Sequence, residues 1–339
     1  MDLSYEPLNL TLHDPFTIAR GTQHIAETVQ VMLTHEGITG RGEAAPYEHY
    51  GELPATVIAF LDALKPVLAR EEQSIPISTL HTLMEDVARL NPAAKASIDI
   101  AAYDLLGKWL GAPIYQLLGL DPSDAPRTSF TIGIDTPEKM ARKADEATQY
   151  PILKVKVGTP SDRENLLAVR QTRPDATIRV DANAAWTAKE AVARIQELTE
   201  FDLELVEQPV GDDDLEGLDY VRRSVSLPII ADESCVVPAD VPRVAPYVDG
   251  INIKLMKCGG IYPAIQMIHL ARGHHLSVMM GCMIESSVAI TAAAHLSPLL
   301  DYADLDGHLL VEDDPFRGVR VDAGRLVLPD GPGLGLQIE

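Results

Sequence analysis

The chain has 339 residues, 46% of them hydrophobic and 23% charged, with a formal net charge of −22 at pH 7. That length suits a barrel-sized core plus a modest second domain. The acidic balance repels phosphate at long range, so nucleic acid and anionic membrane are excluded as partners. The longest apolar run, residues 284–294, is broken by Glu285, Ser286, Ser287 and Thr291. It falls short of the ~20 residues that a bilayer span requires. The opening residues, Met1 to Glu6, lack the basic and apolar regions of a signal peptide. Three cysteines, Cys235, Cys258 and Cys282, rule out a disulfide framework and fit a reducing compartment. The expectation is a soluble cytoplasmic protein with all three thiols packed in its interior.

The first 120 residues predict an α+β domain. Residues 3–12 and 27–35 alternate as strands do, and Gly37, Gly40 and Gly42 punctuate a hairpin after them. Helical periodicity follows over residues 54–68, 78–90 and 93–110, the last with Ile98, Ala101, Ala102, Leu105 and Leu106 on one face. From about Thr128 short apolar strands alternate with helices. The strands are predicted at 129–134, 152–157, 177–181, 203–207, 228–232, 250–254, 276–281 and 303–306. Thr136-Pro137 signals a helix start, and Ser161…Glu164 and Thr187…Glu190 read as capping boxes. Eight alternating strands predict an α/β fold, a TIM-like (β/α) barrel over 121–310 capped by the N-terminal α+β domain of 1–120. Residues 311–339 are expected to return to the capping domain.

Most of these strands carry a charged residue at or next to their last position, and in a barrel the carboxyl ends of the strands meet at one mouth. In order they supply Lys154 and Lys156, Asp181, Glu207, Asp232 and Lys254. Three carboxylates on neighbouring strands make a hard oxygen site suited to Mg²⁺. Lys154 and Lys156 are two residues apart and leave their strand on one face. Like charge and a nearby metal should lower a lysine pKa toward that of a general base.

The motifs Lys-x-Lys, Val-Asp-Ala-Asn, Val-Glu-Gln-Pro, Ala-Asp-Glu-Ser and Asn-Ile-Lys, with Gly42-Glu43-Ala44-Ala45-Pro46 upstream, resemble the muconate-lactonizing subgroup of the enolase superfamily. The resemblance spans nearly the whole chain. It implies that Asp181, Glu207 and Asp232 bind Mg²⁺, that Lys156 and Lys254 are an opposed acid/base pair, and that Lys154 helps hold a substrate carboxylate. It also implies the chemistry established for that superfamily, in which a lysine base forms a metal-stabilised enediolate. A homo-oligomer is implied as well.

Asp304 and Asp306 end the last strand and should project together, a pair of acceptors suited to an ammonium group. An Asp-x-Asp here resembles the dipeptide epimerases of the subgroup, where it holds the free α-amino group. Two facing aspartates would repel anionic substrates, which disfavours a cycloisomerase. An N-acylamino acid racemase or a cycloisomerase of the same subgroup stays open as the alternative, with a catalytically idle binding protein behind them. Strand seven ends in Met280 to Glu285 without the histidine of acid-sugar dehydratases, and His274 and His275 fall at its other end. Met283 and Ile284 are expected on the pocket floor. Arg20, in the early loop of residues 16–22, either pairs with a substrate carboxylate, as in Ala-Glu epimerases, or pairs internally with Glu48 or Glu52.

Overall fold

The computed structural model describes residues 1–71 and 75–338; the last residue of the expected C-terminal segment, Glu339, lies outside them. The chain opens with an antiparallel sheet of β1 (Asp2–Ile18), β2 (Gly21–His35) and β3 (Ile38–Ala44). Its first two strands run well past the predicted ones. The stretch read as an early loop is the end of a two-stranded ribbon, with Phe16 to Ile18 paired to Gln23 to Gly21 beyond a register shift. Backbone pairing with the partner strand holds it extended where side-chain alternation is weak.

Helices α1 (Pro54–Leu68) and α3 (Pro92–Leu110) pack on this sheet, and α2 (Ile77–Val87) packs against both of them. Helix α2 stops at Val87, short of the predicted Leu90, because Ala88 is already extended, at φ −159° and ψ 138°. Glycines let α3 approach closely. A Cβ on Gly40 would lie 2.0 Å from the Ala101 carbonyl oxygen, and one on Gly42 would lie 1.9 Å from that of Ser97.

After α4 (Ile114–Leu117) the second rhythm begins. Strands β4 (Phe130–Ile132), β5 (Ile152–Lys156), β6 (Thr177–Asp181), β7 (Leu203–Glu207), β8 (Ile229–Ala231), β9 (Gly250–Ile253), β10 (Ser277–Met280) and β11 (Tyr302–Ala303) form one parallel sheet in chain order. A parallel bridge between Thr128 and Ala303 brings its two edges together, which makes it a TIM-like barrel. The intervening helices are α5 (Pro137–Glu146), α6 (Asp162–Thr172), α7 (Ala188–Leu198), α8 (Leu215–Ser224), α9 (Asp240–Val244), α10 (Leu255–Cys258), α11 (Ile261–Gly273) and α12 (Ser287–Ala294).

The capping box at Thr187 and Glu190 is present. The one read at Ser161 is not: Ser161 makes no cap bond, and the next residue, Asp162, takes the amides of Gly158 and Thr159 instead. The chain beyond the barrel contacts the N-terminal elements, with Leu334 N–H donating to Asp104 of α3 at 2.8 Å. Among the described residues no helix is long and apolar enough to cross a membrane.

Candidate active site

The parallel register sets Lys156, Asp181 and Glu207 side by side at the mouth. Asp232 and Lys254 follow β8 and β9 directly. All five are buried, the three acids completely. Oxygens of Asp181, Glu207 and Asp232 lie within 4.8 Å of one another, the one cluster among the described residues placed to hold an ion. Lys156 Nζ donates to Asp181 at 2.6 Å, and Lys254 Nζ to Asp232 at 2.9 Å. Lys154 bridges the acids, 2.7 Å from Asp304, 2.8 Å from Glu207 and 3.2 Å from Asp181.

The expected lowering of a lysine pKa rests on like charge and a metal's charge; the protein's own groups act in the opposite direction on two of the three. Burial pulls Lys154 and Lys254 down, but the carboxylates around them outweigh it and hold both well above the ordinary range. Glu207 is raised as well, pushed up to about 8 by burial and then by Asp181. Its buried Oε2 accepts no hydrogen bond of good geometry and meets only the ammonium of Lys154, at 2.8 Å. An under-satisfied oxygen in a triad of carboxylates is what a hard divalent cation satisfies, so these residues fit such an ion.

Two polar supports were not legible in the sequence. Lys257 is fully buried, and its Nζ donates to Asp232 Oδ1 at 2.5 Å and to the carbonyls of Asp232 and Asn252 at 2.6 and 3.0 Å. Asn252 Nδ2 donates to Glu207 at 2.8 Å. The signal for Lys257 was its place in the apolar turn Leu255-Met256-Lys257-Cys258, where a solvated lysine has no surface to reach. Gln208, at a φ of 34°, accepts from the amides of Asp232 and Ser234 and so ties β7 to the turn after β8.

Asp304 and Asp306 lie just past the short β11, not within it, yet both are buried at the mouth. Asp304 accepts from Ser129 Oγ at 2.6 Å, and Asp306 from Thr131 N–H at 2.6 Å. Burial and then the neighbouring Asp304 push Asp306 up to about 7, while Lys154 holds Asp304 low against its burial.

A cavity of about 410 Å³ opens over these groups. The ribbon end supplies Phe16, Ile18 and Arg20, the segment after β3 supplies Tyr47, Tyr50 and Leu53, and Met283 and Ile284 line it from the barrel. Cys282 lines it too and is partly exposed, unlike the buried Cys235 and Cys258; the carboxyl end of β10 faces open space there. Arg20 pairs with neither Glu48 nor Glu52. It lies 2.7 Å from Glu233 and donates to the Asn183 carbonyl at 2.9 Å. Glu52 instead accepts from Ala93 N–H at the start of α3. Glu285 is buried and accepts from Met283 N–H at 2.6 Å. His274 and His275 sit before β10, at the far end from the mouth.

Residues 138–339 match the family described as enolase C-terminal domain-like, and residues 3–119 match the mandelate racemase/muconate lactonizing enzyme N-terminal domain. An L-Ala-D/L-Glu epimerase of Bacteroides thetaiotaomicron is 39% identical over 338 residues, covering 99% of this chain and 88% of that relative. A hydrophobic dipeptide epimerase of Enterococcus faecalis is 40% identical over 342 residues, with 96% of each covered. The crystal structure of a dipeptide epimerase from Enterococcus faecalis, complexed with Mg and L-Leu-L-Tyr, matches with a TM-score of 0.94 at 39% identity, covering 99% of both chains. With both halves matched and full-length relatives at this identity, the chain belongs to the mandelate racemase/muconate lactonizing enzyme family of the enolase superfamily.

Proposed function

We propose that this chain is a dipeptide epimerase that inverts the α-carbon of the C-terminal residue by 1,1-proton transfer. The carrying observation is the pair of lysines, Lys156 and Lys254, bonded to opposite members of one acid triad under a cavity rimmed by Asp304 and Asp306. The relatives above are named as epimerases of dipeptides. Asp181, Glu207 and Asp232 would hold Mg²⁺, which when bound supplies neutralising charge at the substrate carboxylate and so acidifies the α-proton.

Lys156 and Lys254 then divide the work. One takes the α-proton and the other returns a proton to the opposite face, so the stereocentre inverts. Lys154 offers its charge to the substrate carboxylate. Asp304 and Asp306 take the free ammonium group, and Met283 and Ile284 give the floor on which the peptide lies.

Arg20 is the residue on which the second side chain turns. If it leaves Glu233 for substrate, the substrate ends in Glu or Asp, as in L-Ala-D/L-Glu. Its pairing with Glu233 favours a second reading, in which that side chain is apolar and Arg20 stays a wall of the pocket. Residues 1–120 serve as the cap, 121–310 as the barrel and 311–339 as a strap back to the cap. Three free cysteines suit work in a reducing cytoplasm, and the family resemblance supports a homo-oligomer.

The test is incubation of pooled L,L-dipeptides with the protein and Mg²⁺ in D₂O, read by mass spectrometry. Gain of one deuterium in a subset supports the proposal, and exchange restricted to dipeptides ending in Glu or Asp supports the Arg20 contact. Exchange into N-acylated amino acids alone would sink the assignment of Asp304 and Asp306.

A further inference from the structure

Lys254 begins a tight connection between β9 and α11. Its carbonyl accepts the amides of Lys257 and Cys258 at 3.0 and 3.1 Å, which closes the single turn of α10. Gly259 and Gly260, at φ values of 98° and 117°, then redirect the chain into α11. The first amides of a helix have no partner within it. Here they find one in another domain. Asp99, fully buried on α3, accepts from Ile261 N–H at 2.5 Å through Oδ1, and Tyr262 N–H lies 3.4 Å from the same oxygen.

The fit around that carboxylate is close. A Cβ on Gly260 would lie 2.3 Å from Asp99 Oδ1, so the turn leaves space for the acid and for little else. The second oxygen of Asp99 is bonded to His81 Nε2 at 2.7 Å. His81 belongs to α2, remains partly exposed, and packs its ring on Tyr262 of α11 with centroids 5.1 Å apart. His81, Asp99 and the start of α11 are therefore one chain of contacts from the surface of the cap to the Lys254 turn.

Among the described residues no equivalent hydrogen bond joins the cap to the turn after Lys156. There Asp162, from the barrel itself, accepts from Gly158 and Thr159 N–H at 2.9 and 2.8 Å. The ribbon touches Gly158 only by packing: a Cβ there would lie 3.0 Å from that of Ala19.

We propose that Asp99 and His81 are positioning residues for Lys254 alone, a cross-domain pair that sets the reach of one of the two bases. The inference rests on the proposed two-lysine epimerisation. Misplacing a reacting group by about an ångström can cost on the order of 100-fold. Asp99→Asn keeps the size of the side chain but cannot accept from α11 and His81 as a carboxylate does. Both directions of epimerisation must fall by one factor, because their ratio is fixed by the equilibrium between the epimers. Wash-in of deuterium to recovered substrate is not so constrained, since one lysine can remove a proton and return a deuteron on its own face.

The experiment measures, in D₂O with Mg²⁺, epimerisation and α-deuteration of each recovered epimer of a substrate dipeptide. The wild-type chain, Asp99→Asn, His81→Ala, His81→Gln and the reference variant Lys254→Met are compared. The expected result for Asp99→Asn is epimerisation slowed roughly 10- to 100-fold through kcat, with KM little changed. Deuteration should persist in the same epimer that still exchanges in Lys254→Met. His81→Ala should show the same pattern more weakly, and His81→Gln, whose amide can donate to Asp99, should restore it toward wild type. Should Asp99→Asn fail to fold, the two His81 variants carry the test alone. Equal loss of deuteration in both epimers, loss confined to the Lys156 face, or unchanged epimerisation overturns the inference. No exchange by the wild-type chain overturns the functional reading first, and the inference with it.

Discussion

The turn after Lys156 is closed by Asp162, six residues along the same chain, whereas the turn after Lys254 is closed by Asp99, more than 150 residues earlier and in another domain. The division is not complete across the mouth. Around β5 to β8 Gln208 and Lys257 of the barrel supply supports, joined by Arg20 of the cap at Asn183 and Glu233. Around β9 to β11 the cap supplies Glu43 of β3, which accepts from Ser286 and Ala289 at the start of α12, while Ser129 and Thr131 of the barrel hold Asp304 and Asp306. The Lys156 turn needs only local closure, which costs little chain entropy. The Lys254 turn is complete only when two domains have docked, so its geometry reports on their packing. One turn is built by folding and the other by assembly of folded parts.

The sharpest way to break this comparison is to remove each base in turn. Lys156→Met and Lys254→Met should each lower epimerisation about 10³-fold, the scale of a lost general acid or base. Each should keep deuterium exchange in a different epimer. Retention in the same epimer by both variants would show that the two lysines do not face each other across the substrate.

A smaller effect belongs to the side where Glu43 docks. Burial, with Glu43 adding to it, pushes the Glu285 carboxyl from 4.5 up to about 8. Between those values the unfolded chain releases a proton that the folded chain keeps. Stability attributable to this group is therefore present below about pH 4.5 and lost as pH rises toward 8, by at most roughly 1.4 kcal/mol per pH unit. Glu285→Gln is neutral throughout and should flatten that slope in urea titrations at about pH 5.5 and 7.5. Glu207 and Asp306 add slope of the same sign, so only a slope left unchanged by the substitution would mean that Glu285 is ionised in the fold.

The smallest effects lie on the side of the Lys156 turn. Thr187→Ala removes a real capping box and should cost about 1 kcal/mol in thermal unfolding, with turnover unchanged. Ser161→Ala removes nothing that the fold uses and should stay within about 0.5 kcal/mol. Equal losses would mean that Ser161 caps α6 after all.

The barrel and its charged strand ends were readable because each depends on a local pattern: an apolar strand, a charged last residue, a helix start. Asp181, Glu207 and Lys254 needed no partner to be recognised. What escaped depended on pairing at a distance. The ribbon from Phe16 to Gln23 is extended because of its partner strand, not its own alternation. Arg20 had Glu48 and Glu52 as plausible neighbours in sequence, but the acid that meets it, Glu233, arrives on a loop after β8. The capping motif at Ser161 failed for a subtler reason, since two candidate acceptors were adjacent and the longer side chain of Asp162 reached the preceding amides. Asp99 looked like an ordinary polar residue of a helix, yet residues 93–105 of α3 are buried on nearly every side.

That burial of α3 has a consequence for how this chain can vary. On one side the helix rests against Gly40 and Gly42, and on the other Asp99 fills the space left by Gly260. The two contacts fall on opposite faces, because residues 97 and 99 are separated by more than half a turn. A methyl group added at Gly42 drives the helix toward the barrel, where Gly260 leaves it no room. Alanine at a strand position remote from any chemistry is thus expected to be felt at Lys254, and the tolerance of the cap to mutation is set by the accuracy that one base requires.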